Sequence, residues 1–233
     1  LSAIHPRAYV DLNRAPYELE QVLFEDRLPD HVDKKSLRAS SGLGTVPRLV
    51  AENAPIYDGK LTYADAEQRI ENIYRPFHHQ IASLLQNMQR QFGFAILLDA
   101  HSMPSQATRL GRNSLSAPPV DFVLGNRHNK ACDMRLTDWV KNYLQAQGYV
   151  VMLNKPYAGG YITENYGQPN RGCHALQIEI NRAIYMDEDS YQPHDGYARV
   201  QENMSRLLAD LIAELPALAD DLRADDGDRS AAE

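Results

Sequence analysis

Cysteine is nearly absent: the 233 residues hold only Cys132 and Cys173, with no C-x-x-C pair. That excludes a disulfide framework and a zinc-ribbon spacing, and it suits a reducing compartment. No apolar run approaches the roughly 18 residues a bilayer-spanning helix needs, and Leu1 opens no signal-peptide pattern. The expected location is cytoplasmic. An excess of basic charge is also missing, since 24 Lys and Arg face 31 Asp and Glu for a net charge of -7. A phosphate-backbone partner is thereby disfavoured, while a small anionic ligand held by a few converging arginines is not. No H-E-x-x-H pattern and no internal repeat occurs.

What is present reads as one α/β domain over residues 1–216. Apolar runs at Ala8–Leu12, Phe94–Asp99 and Tyr149–Leu153, and a period-two segment at Ala175–Asn181, predict strands. Between them, Ile70, Tyr74, Phe77, Ile81 and Leu85 follow the 3.6 period. Thr62 and Asp65 offer a capping box at the start of that helix, Gly93 ends it, and Pro76 marks a kink or a second start. Leu136–Leu144 predicts a second helix, and Met204–Ile212 a third that stops before Pro216. This alternation favours a mostly parallel sheet with helices on both faces. Residues 29–61 are polar and read as a surface excursion that could wall a site. Residues 217–233, with Asp220, Asp221, Asp225, Asp226 and Asp228, read as an acidic tail that frays into solvent.

Ligands of open α/β sheets collect at strand ends, where three polar constellations lie. In R-A-Y-V-D-L-N-R at 7–14, Asn13 and Arg14 form an amide and guanidinium pair suited to a carboxylate; the plain alternative is an arginine paired with Asp11 or Glu18. In L-L-D-A-H-S at 97–102, Asp99 and His101 share a face, so His101 is a metal-ligand candidate or a buried histidine satisfied by Asp99. In L-Q-I-E-I-N at 176–181, Glu179 lies on the polar face and could act as general base, or simply wet one face of an edge strand. The segment 154–163 offers Gly159 and Gly160 for close backbone approach and the hydroxyls of Tyr161 and Thr163, as a wide turn also would. Cys173 and His174 are neighbours, but adjacent residues on a strand point oppositely, which argues against a nucleophile pair. His78 and His79 suit a solvated or supporting role.

Six segments in order, R-A-Y-V-D-L-N-R-A-P-Y-E-L-E, G-L-G-T-V-P-R-L-V, Y-R-P-F-H-H-Q-I-A-S-L-L, L-L-D-A-H-S-M-P-S, N-K-P-Y-A-G-G-Y-I-T-E-N-Y-G and H-A-L-Q-I-E-I-N-R-A-I-Y-M-D-E, resemble the N-formylglutamate amidohydrolase family across most of the chain. The resemblance implies a three-layer α/β/α sandwich with a mostly parallel mixed sheet, similar to zinc carboxypeptidases and aspartoacylase-like deacylases. It further implies one Zn2+ per chain and hydrolysis of N-formyl-L-glutamate in histidine catabolism. Carried over by position, it makes His101 a zinc ligand, Glu179 the general base or acid, Asn13 and Arg14 the carboxylate pair, and Arg7 the group that polarises the scissile carbonyl. Gly159, Gly160, Tyr161 and Thr163 are expected to contact substrate. The family's Pro-His-Ser-Gly motif, with its further zinc ligands, is expected upstream of Leu1. Alternatives are a related N-acyl amino acid deacylase or carboxypeptidase, and a metal-free binding module for acidic ligands.

Overall fold

The computed structural model describes residues 1–51, 54–108 and 119–223. It comprises two compact units, Leu1–Leu84 and the chain from Leu85 onward.

The first unit contains little sheet. Helix α1 (Leu37–Ser40) starts at Ser36, whose side chain accepts from the backbone N–H groups of Arg38 and Ala39. Strands β1 (Leu49–Ala51) and β2 (Ala54–Pro55) form a short antiparallel hairpin. The strand expected at Ala8–Leu12 is a succession of turns instead. The Tyr9 N–H donates to the Pro6 carbonyl at 2.9 Å, and the Asn13 N–H to Asp11 Oδ1 at 2.9 Å. A side chain that captures the amide two residues on bends the chain where a strand would need it extended. Val10, Asp11, Leu12 and Asn13 are all buried, so the run is buried as its composition suggests, and it is the turn geometry that departs from a strand. The polar excursion is anchored rather than wholly superficial, because Val32, Ala39 and Val46 are buried within it. Helix α2 (Tyr63–Arg69) opens on the expected capping box between Thr62 and Asp65. A π-helical turn, Ile70–Tyr74, separates it from α3 (Arg75–Phe92). Pro76, which lacks an N–H and crowds the carbonyl four residues back, accounts for that widened turn.

The second unit is built on a four-stranded sheet of β3 (Ala95–Met103), β4 (Phe122–Gly125), β5 (Val151–Leu153) and β6 (Cys173–Asn181), in the order β3-β6-β4-β5. β3 and β6 pair in parallel, as do β4 and β5, while β4 runs antiparallel to β6. The sheet is therefore mixed and mostly parallel. Its even-numbered face, with Phe122, Leu124, Leu176 and Ile178, packs on α4 (Met134–Ala146) through Leu136 and Val140 and on α6 (Gly196–Leu222) through Leu207 and Leu211. Helix α5 (Tyr161–Tyr166) lies against the other face, where Thr163 meets Gln177. The expected sandwich layers are recovered around this sheet. β4 escaped the sequence reading because Asp121 interrupts its apolar run; its four residues are nonetheless all buried.

α6 does not stop before Pro216 but continues through it to Leu222, which is fully buried. Tertiary contact outweighs the breaker here, since the Leu222 carbonyl is 2.9 Å from His174 Nε2. Residues 217–222 are thus helical, and Asp225, Asp226 and Asp228 lie outside the described residues. The other ring nitrogen of His174 accepts from the Asp133 N–H at 3.2 Å, which fixes a neutral imidazole with its proton on Nε2. Burial lowers the pKa of His174 below its ordinary 6.5, against smaller opposing effects of the Leu222 carbonyl and Asp133. Burial also lowers that of His78 in the first unit. A depressed histidine pKa means that the unfolded chain takes up the proton first. Stability is accordingly full above pH 6.5 and falls as pH drops below it, by at most about 1.4 kcal/mol per pH unit for each histidine. Urea midpoints measured from pH 7.5 to 5 should decline, and His174→Gln should flatten the decline; a flat wild-type profile would refute the buried neutral imidazole.

Candidate active site

The odd-numbered face of the sheet carries polar groups in an apolar setting. Parallel pairing places Asp99 opposite Gln177 and His101 opposite Glu179, so two period-two motifs become one patch of four side chains. Val123 on β4 flanks Glu179 on its other side, and Met103, Val120 and Val123 form an apolar cluster on this face. Glu179 is only 8% exposed and Gln177 4%. Buried polar groups of this kind are tolerated only when partnered. His101 Nε2 is 2.9 Å from Asp99 Oδ1, and Gln177 Nε2 donates to Glu179 Oε1 at 2.6 Å. The second oxygen of Asp99 is buried and, among the described residues, has no hydrogen-bond partner.

The glycine turn is brought to the same strand. Gly160 caps the start of α5, and its N–H donates to Gln177 Oε1 at 2.6 Å; Thr163 Oγ1 donates to the same atom at 3.4 Å. Glycine is required at two places. Gly159 adopts φ +121°, and a side chain at Gly125 would collide with the Gly159 backbone nitrogen at 2.6 Å. Tyr161 is the first residue of α5 and is half-buried.

Arg7, Asn13 and Arg14 belong to the first unit, where they gather on a residue the sequence reading treated only as a possible partner. Asp11 is the hub. Arg7 donates to it from Nε at 3.2 Å and Nη2 at 2.7 Å, the Asn13 N–H at 2.9 Å, and Arg14 Nη2 stands 3.7 Å away. Arg14 also donates from Nε to the Leu43 carbonyl at 3.0 Å and from Nη1 to the Asn13 carbonyl at 2.8 Å. Its guanidinium is desolvated enough that its pKa is lowered, an effect that Asp11 partly opposes. Arg7 is 60% exposed, so the bulk of its chain is solvated. Glu18, the other expected partner, instead accepts from the Ala15 N–H at 3.1 Å and from Ser36 Oγ at 2.6 Å. Behind this turn the Tyr74 hydroxyl donates to the Arg14 carbonyl at 2.7 Å, and His78 Nε2 lies 2.9 Å from the Leu12 carbonyl, which gives His78 the supporting role expected.

Cysteine chemistry is not part of this arrangement. Burial pushes the thiols of Cys132 and Cys173 up to about 12 and about 11, and His174 is committed to Asp133 and Leu222. Both thiols stay protonated at neutral pH. For a metal, the donors at hand are His101 and Asp99, paired in the carboxylate–imidazole manner that orients ligating histidines. A catalytic zinc takes three protein ligands, and among the described residues no group of three His, Cys, Asp or Glu is placed to hold an ion. These side chains alone therefore do not constitute a zinc site. Among the described residues no helix is long and apolar enough to cross a membrane.

The N-formylglutamate deformylase of Pseudomonas putida is 32% identical over 191 residues, covering 81% of this chain and 64% of that protein. The chain thus spans just under two thirds of that relative's length. The N-formylglutamate deformylase of Pseudomonas aeruginosa is 31% identical over 220 residues, covering 93% of this chain and 74% of its own. The crystal structure of N-formylglutamate amidohydrolase from Ralstonia eutropha JMP134 superposes with a TM-score of 0.84 at 33% identity, over 91% of this chain and 75% of that one. Gene product Atu2144 from Agrobacterium tumefaciens, at 19% identity and a TM-score of 0.53 over 88% of this chain and 68% of its own, shares the fold alone. The family model described as N-formylglutamate amidohydrolase matches residues 1–186, and the chain belongs to that family.

Proposed function

We propose that the protein is an amidohydrolase that cleaves N-formyl-L-glutamate to formate and L-glutamate, in the cytoplasm and as a step of histidine degradation. The observation that carries the proposal is Glu179, a buried carboxylate in register with His101 on one sheet face. The names of the two Pseudomonas relatives support the substrate. In this reading Glu179 accepts a proton from the attacking water, whose oxygen bonds to the formyl carbon. It then delivers that proton to the departing nitrogen as the C–N bond breaks. Asn13 and Arg14 take a substrate carboxylate, a role that the desolvated Arg14 guanidinium supports. Arg7 polarises the carbonyl, with its guanidinium plane fixed by the fork on Asp11. Gly159, Gly160, Tyr161 and Thr163 shape the turn against which the substrate rests.

The cofactor of the proposal is one Zn2+ per chain with His101 as a ligand and its remaining ligands outside the described residues. The test joins metal analysis to a substrate panel of N-formyl-, N-acetyl- and N-succinyl-glutamate. Formate release that a chelator abolishes, with rates falling as the acyl group grows, is the expected result. Equal rates across the panel would point to a broader deacylase, and no release of any acyl group would end the reading.

A further inference from the structure

We infer that Gln177 is a positioning residue, which sets the carboxylate of Glu179 and ties it to the turn carrying Gly160 and Thr163. The inference deepens the proposed hydrolysis and rests on it for its kinetic readout.

A carboxamide, like a neutral imidazole, can accept on one atom and donate from another. Gln177 uses both ends. Its Oε1 receives the Gly160 N–H at 2.6 Å and the Thr163 hydroxyl at 3.4 Å, while its Nε2 donates to Glu179 Oε1 at 2.6 Å. Turning the amide over would set its NH2 against the Gly160 N–H and its oxygen against a carboxylate. Both contacts would then repel, so the network determines the orientation. The turn is pressed onto the sheet where Gly125 lacks a side chain, and φ +121° at Gly159 delivers the next amide to Gln177. The register adds a second constraint, because Gln177 lies opposite Asp99 just as Glu179 lies opposite His101. A charge-assisted bond to one carboxylate oxygen fixes the rotation of that group about its last bond, and the geometry of a base sets its efficiency. The Gly160 amide thus acts through Gln177, and whatever shifts the turn shifts the carboxylate.

Gln177→Leu keeps the size of the side chain and removes both functions. It should lower kcat for N-formyl-L-glutamate about 10- to 100-fold with KM changed less than about threefold. In a Glu179→Gln background the same substitution should cost less than about twofold, because the carboxylate it would misplace is already gone. Equal losses in both backgrounds would mean a merely structural role and would overturn the inference. A second measurement keeps Gln177 intact and needs no activity. The side-chain amide protons of Gln177, assigned by NMR in the wild-type protein, should lie downfield and move on Glu179→Gln. If they do not move, Gln177 does not hold Glu179. If the wild-type protein releases no formate, the proposed function fails and the amide resonance alone decides the role of Gln177.

Discussion

Glu179→Gln is expected to lower kcat for N-formyl-L-glutamate by about 10³-fold while KM stays within about threefold. The substitution is close to isosteric, and an amide oxygen at position 179 can still accept from Gln177 Nε2, so the β6 strand and its pairing with β3 should survive. What is lost is the capacity to take a proton from water and return it to nitrogen. The ligand role proposed for His101 should be untouched, so metal content should equal that of the wild type. Steady-state kinetics with the metal measured on the same preparation would check both halves. A variant within tenfold of the wild-type rate would remove Glu179 as the base, whereas loss of metal together with rate would make it a ligand instead.

The polar patch was legible because period two is a strong signal. D-A-H and Q-I-E each put two functional groups on one face of a strand, whatever the strand's neighbours. Their pairing was not legible, since register is a tertiary property and a slip of one residue would have turned one motif to the other face. The chain reversal at Asp11 was hidden for a different reason. Ala8, Val10 and Leu12 imitate a strand, and short-range bonds, from the Tyr9 amide to the Pro6 carbonyl and from the Asn13 amide to Asp11, distinguish a turn. β4 was too short and too interrupted to announce itself, being fixed by burial between β6 and β5. α6 shows local preference overruled. Leu211, Leu215, Leu218 and Leu222 carry the helical period past Pro216, and packing on the core keeps them helical where the proline argues for a stop.

Removing Asp11 should destabilise the first unit strongly, at about 3 kcal/mol for Asp11→Ala. The cost follows from what the carboxylate holds. It is buried, it accepts from Arg7 and from the Asn13 amide, and it stands 3.7 Å from Arg14. Without it the Arg14 guanidinium, already lowered in pKa by burial, keeps its desolvation penalty and loses the partner that chiefly offsets it. The Asn13 N–H loses its acceptor as well. Asp11→Asn would leave an oxygen for that amide but no charge for either arginine, so its cost should fall between that of Asp11→Ala and zero. Arg7→Ala should cost less than about 1 kcal/mol, because the side chain is 60% exposed and its pairing is screened by solvent. Urea unfolding of the three variants at pH 7 would order them. The order Ala at 11, Asn at 11, Ala at 7 supports Asp11 as the hub. A mild Asp11→Ala would mean that the turn is held by its backbone bonds, such as that from Asp11 N–H to the Thr45 carbonyl at 2.7 Å, and that the carboxylate serves the arginines rather than the fold. In that event the effect should reappear in KM, since Asn13 and Arg14 would lose their fixed geometry without losing the fold around them.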